Sequence, residues 1–125
     1  MFKDNYETVV DIGGFLGETA WWLISEGYAR RVIVFEPVYY ELCKLNVGDV
    51  AEVYPQAVHW ERKVLRFNVS GIASQPSVNG KRPAESITLT EVLSSLTGDI
   101  AVKMDYKDSI PHTPCDMLRR AEEYH

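Results

Sequence analysis

Apolar positions along the chain change period several times, and each change marks an element. Thr8-Val9-Val10-Asp11-Ile12 is nearly continuous in apolar character and ends on glycine, which predicts a strand buried on both faces of a parallel sheet. From Glu18 to Glu26, Ala20, Trp21, Leu23 and Ile24 fall at helical spacings, and Gly27 is placed to stop that helix. Arg31 to Pro37 is β-branched and apolar, so it predicts a second strand that Pro37 keeps from continuing. Strand, glycine turn, helix and strand in this order predict a parallel βαβ unit.

The alternation continues downstream. Tyr39 to Val47 predicts a second amphipathic helix through Leu42, Cys43 and Leu45, and Val53 to Val58 a short third strand. Lys63 to Val69 alternates charged and apolar residues, the pattern of a half-exposed strand, and the turn-rich Ser70 to Pro83 stretch follows. A β-excursion is expected there, with a loop around Asn79 to Pro83. Thr88-Leu89-Thr90-Glu91 has capping-box spacing and opens a helix through Leu96, with Gly98 as its stop. Asp99 to Asp105 reads as the next buried strand and Pro114 to Tyr124 as a last helix.

Length and charge narrow the picture. At 125 residues the chain is expected to be one domain, residues 1–125, with room for a single sizeable core. A net charge of -5 disfavours capture of nucleic acid by long-range attraction. No apolar run approaches the ~20 residues that span a bilayer, and the first residues lack a signal peptide's apolar segment. The expected setting is cytoplasmic, with no membrane partner. Cys43 and Cys115 match neither a metal knuckle nor a redox dithiol, and His59, His112 and His125 show no ligand spacing, so no metal site is expected.

The chemistry concentrates at the predicted carboxyl ends of the first two strands, where doubly wound sheets bind ligands. Gly13, Gly14 and Gly17 follow the first strand, where absent side chains let a ligand approach the main chain and the next helix offers its amides. Glu36 lies at the same level after the second strand, suited to accept hydrogen bonds from two ribose hydroxyls. Each feature has a plainer reading, a tight turn and a solvated acid. Together, one helix and one strand apart, they point to a nucleoside site. The glycine spacing differs from the G-x-G-x-x-G of nicotinamide dinucleotide folds. Asp11, two residues ahead of the glycines, is ill suited to a pyrophosphate but can attract an ammonium group directly or through water. S-adenosylmethionine carries that ammonium, a sulfonium and no phosphate.

These residues resemble the FkbM-type S-adenosylmethionine-dependent methyltransferases. The family's D-x-G-A-N-x-G motif is similar to Asp11-Ile12-Gly13-Gly14-Phe15-Leu16-Gly17, and its F-E-P motif to Phe35-Glu36-Pro37. The similarity continues in order through Asn46-Val47, Gln56-Ala57-Val58, Thr88 to Leu93 and Val102-Lys103-Met104-Asp105. The resemblance implies an α/β, Rossmann-like class I methyltransferase fold with a mostly parallel sheet. It implies O-methylation of a hydroxyl on a small-molecule or glycan acceptor. It would set Asp11, Gly13, Gly14 and Gly17 around the methionine part of S-adenosylmethionine, Glu36 at the ribose and Gln56-Ala57 at the adenine edge. Asp105 would lie near the methyl group and orient or deprotonate the acceptor hydroxyl.

The sequence departs from the family at three places. Phe15 replaces the asparagine of the glycine turn, and the K-x-D-x-E-G segment reads Lys103-Met104-Asp105-Tyr106-Lys107-Asp108, reversing one charge and losing a glycine. The family's sheet has strand order 3-2-1-4-5-7-6, whereas this chain is expected to be truncated after the fourth core strand. That strand's exposed edge would then need covering, by a homodimer mate or by the Tyr106 to His125 tail. Two other functions stand beside the methyltransferase reading: a non-catalytic binding or assembly module of the same fold, and a nicotinamide-dependent oxidoreductase, which the turn spacing disfavours. Of the remaining polar residues, His59 is a weak candidate base, and His112 to Asp116 read as the start of a helix rather than a cysteine-hydrolase site.

Overall fold

The computed structural model describes residues 5–70, 73–76, 82–104 and 118–120. The continuous apolar run near the N-terminus is β1 (Tyr6–Ile12), followed by α1 (Glu18–Ser25) and β2 (Ala29–Phe35). Next come α2 (Tyr40–Val47) and β3 (Glu52–Tyr54). The excursion comprises β4 (Ala57–His59), β5 (Val64–Ser70), β6 (Ala73–Pro76) and β7 (Arg82–Thr88). The chain then returns through α3 (Leu89–Ser94) to β8 (Ile100–Met104), and β9 (Leu118–Arg120) lies beyond.

The main sheet runs β3-β2-β1-β8-β9, and every contact among its first four strands is parallel. In order of first appearance these four strands read 3-2-1-4, the half-sheet of a Rossmann-like α/β fold. Alternation along the strands sorts side chains onto two faces. Val9, Val32, Val34 and Ala101 meet Ala20 and Leu23 of α1 and Cys43 and Val47 of α2. Val10, Ile33, Phe35 and Val102 meet Val92 and Leu93 of α3 on the opposite face. Both faces are covered, which is why β1 and β2 read as apolar runs instead of alternating.

Three sequence expectations need correction. Arg82 and Pro83, expected in a loop around Asn79 to Pro83, begin β7, where they pair with Phe67 and Arg66 of β5; residues 79–81 lie outside the described residues. The stretch Val53 to Val58 is two strands in different sheets: β3 extends the main sheet beside β2, whereas β4 pairs in parallel with β7. Pro55 lies between them; it has no N–H to donate, so a ladder cannot run through unbroken. Residues 118–120, expected within a helix, form β9, antiparallel to β8 with Val102 opposite Arg119. The free backbone groups along the edge of β8 outweigh a weak local helical pattern. The rest of the expected helix lies outside the described residues.

The second sheet, ordered β4-β7-β5-β6, packs Ala57, Phe67 and Ala84 around Val38, with Tyr39 and Leu65 against them. It thus leans on the segment that leaves β2, beside the predicted ligand level. At its far end, the capping box is present in full. The Thr88 hydroxyl accepts the Glu91 N–H, and the Glu91 carboxylate accepts the Thr88 N–H. Arg62 donates to the same carboxylate through its guanidinium.

These bonds, first Arg62's and then Thr88's, push the Glu91 carboxyl down to about 2. A carboxylate lowered in the folded state contributes stability that is present above its ordinary 4.5 and is lost as pH falls toward 2. In a carboxyl NMR titration, Arg62→Ala is expected to bring the Glu91 midpoint back toward ordinary glutamate values. A midpoint that stays near 2 would assign the shift to Thr88 alone.

Candidate functional site

At the carboxyl end of β1 the main chain turns sharply. Gly13 and Phe15 have positive φ, 79° and 53°, and Gly17, at 97°, is the N-cap of α1. The Gly13 N–H donates to the Phe35 carbonyl at 2.8 Å, tying the turn to the end of β2. A Cβ on Gly14 would overlap Val34 Cγ1, and one on Gly17 would lie 2.8 Å from Val47 Cγ1. Both glycines therefore let the turn press against β2 and α2. Their missing side chains are filled by the protein's own methyl groups.

Glu36, one residue past β2, is 5% exposed. Its Oε2 accepts the Val38 and Tyr39 amides at 2.8 and 2.9 Å, and its Oε1 accepts the Phe15 amide at 2.9 Å. The Phe15 ring meets the Tyr39 ring edge-on, with centroids 4.7 Å apart. Glu36 thus joins the glycine turn to the start of α2, and the Phe15–Tyr39 ring contact joins the same two segments. A carboxylate has about four acceptor positions. Three are used, both of them on Oε2 and one on Oε1.

Asp11, fully buried, faces Lys103 directly across the β1–β8 ladder, with Nζ 3.1 Å from Oδ1. Lys103 is itself buried, at 3% exposure. Both side chains share the strand face of Val9 and Ala101, beneath the turn. To an ammonium at the turn the pair presents a dipole in place of a net negative charge. Cys43 lies on the same face, and burial, reinforced by Asp11 and Glu36, pushes its thiol up to about 12. It is an inert packing group at neutral pH.

Compared with protein-family models and with curated proteins, the sequence matches none. Among solved structures it is similar to the crystal structure of methyltransferase FkbM from Methylobacillus flagellatus KT. The TM-score is 0.42 and the identity 14%, over 82% of this chain and 34% of that one. The chain spans about a third of that protein's length. Strand order and register, independently of this likeness, establish the fold.

The fold brings Asp11, Gly13, Gly14, Gly17 and Glu36 to one end of β1 and β2. Ala57 is buried within the second sheet's core, with Gln56 just ahead of it on the link from β3. Asp105 lies outside the described residues. His59 uses Nδ1 to accept the Glu61 amide and packs on Trp60. Sequence reasoning missed Lys103 as the partner of Asp11. The signal was there: a lone lysine in one apolar strand and a lone aspartate in another. It also missed the Phe15, Val38 and Tyr39 amides on Glu36, for which the side-chain sequence carries no signal.

Among the described residues, no group of three or more His, Cys, Asp or Glu side chains could hold a metal ion. Among the same residues, no helix is long and apolar enough to cross a membrane.

Proposed function

We propose that this domain binds S-adenosylmethionine at the carboxyl ends of β1 and β2 and serves O-methylation of a hydroxyl on a small molecule or glycan. The observation that carries this reading is Glu36, a buried acid one residue beyond β2, braced by main-chain amides next to the glycine turn. Its acceptor chemistry fits a ribose, because a hydroxyl can add to the acceptor position that remains on Oε1. When bound, the sulfonium supplies an activated methyl carbon. In this reading Glu36 orients the ribose, the turn around Gly13 lies against the methionine part, and Gln56-Ala57 borders the adenine. Asp105 holds the acceptor hydroxyl and takes its proton.

A second reading, a non-catalytic module of the same fold, is favoured by a specific observation. Each acceptor position on Oε2 is already filled from within the chain, and the Phe15 amide takes one on Oε1. The reversed charge at Lys107 points the same way. Calorimetric titration with S-adenosylmethionine, S-adenosylhomocysteine and NAD separates the possibilities. Binding of the first two without NAD is the expected outcome. Binding of NAD alone would make the chain an oxidoreductase domain, and binding of none would leave the module.

A further inference from the structure

The three hydrogen bonds on Glu36 are not equivalent, and the difference bears on how a nucleoside enters. The two on Oε2 are local, from residues two and three positions on, and Val38 is anchored in the second sheet's core at 2% exposure. The bond on Oε1 spans 21 positions of sequence and comes from Phe15, a non-glycine residue at φ 53° in the left-handed region. A ribose presenting two neighbouring hydroxyls needs two acceptor positions. One is open beside the Phe15 amide, and the ring of Phe15 meets that of Tyr39 edge-on, so both residues that touch each other also donate their amides to that carboxylate.

Building on the adenosyl reading above, we infer that Phe15 is a latch. In the ligand-free protein its amide and ring hold the glycine turn to Glu36 and Tyr39, and a nucleoside binds by releasing the Phe15 N–H while the Val38 and Tyr39 bonds stay. Phe15 is the bond that gives way because it is the one held in unfavourable backbone geometry and the one not buttressed by a packed core. The latch makes the competent form a minor population, so that apparent affinity is reduced by its fraction.

Amide hydrogen exchange on the wild-type protein, with and without saturating S-adenosylhomocysteine, reads the latch directly. The Phe15 amide is protected in the free protein and loses protection in the complex, while the Val38 and Tyr39 amides keep theirs. Calorimetry on Phe15→Gly supplies the second measurement. Glycine tolerates the positive φ and removes the ring, and it should bind S-adenosylhomocysteine about tenfold more tightly if the open form is about a tenth of the free population. Wild-type binding with the Phe15 amide still protected, or no gain in Phe15→Gly, overturns the latch and leaves the adenosyl reading standing. Absence of binding in both proteins overturns the adenosyl reading, and the latch with it.

Discussion

Glu36→Ala is expected to lower both stability and nucleoside affinity, by amounts that can be measured separately. The side chain is the acceptor for three amides from two loops, and removing it leaves the Phe15, Val38 and Tyr39 N–H groups without that partner. A hydrogen bond to a charged group contributes about 1.5–3 kcal/mol. Water enters part of the space left behind, so the three losses do not add in full, and a total of about 3–5 kcal/mol is expected from urea denaturation midpoints. Glu36→Gln keeps one acceptor oxygen and should fall between the two. Where both variants remain folded, S-adenosylhomocysteine binding should weaken at least about tenfold, the equivalent of one such bond. A stability change below about 1 kcal/mol would show that the clamp adds little beyond an ordinary exposed bond. Unchanged affinity in a folded variant would remove Glu36 from the ribose.

Lys103→Met should be about as damaging, for a different reason. Asp11 and Lys103 are buried together on neighbouring strands, β1 and β8, and removing one partner leaves the other charge in a low-dielectric site. Breaking a buried pair in this way costs about 3–5 kcal/mol. The double variant Asp11→Val, Lys103→Met replaces both charges with apolar groups on a strand face already lined by Val9 and Ala101. It should recover most of that loss, since apolar replacements of buried pairs are commonly neutral or stabilising. A double-mutant cycle by chemical denaturation reads the coupling. Additive losses would deny that the two residues act as a pair. The same double variant also probes function: if it binds S-adenosylhomocysteine as the wild type does, the Asp11 carboxylate is no part of the methionine subsite.

Glu36 and Asp11 stand in different surroundings within the proposed site. Glu36 accepts amides from two segments, the glycine turn and the start of α2. At Asp11 the carboxylate is enclosed by strands on both sides, and its nearest cation belongs to the adjacent strand. Glu36 keeps one acceptor position on Oε1, whereas attraction of an ammonium by Asp11 competes with an existing buried partner.

The sequence by itself determined the strand, glycine turn, helix and strand at the start of the chain, the capping box at Thr88 and Glu91, and the level at which Glu36 sits. Each depends on neighbours in the chain: apolar period, a residue able to take positive φ, or a hydroxyl three residues from an acid. Tertiary structure decided what depends on residues far apart. It divided Val53 to Val58 between two sheets, because β7 offered Ala57 to His59 a partner that β2 could not. It drew residues 118–120 into a strand along the open edge of β8. It joined Asp11 to Lys103 across a ladder whose register no local pattern states, and it turned three main-chain amides onto Glu36. Backbone donors are the same in every residue, so their direction becomes known only when the fold fixes where the chain turns.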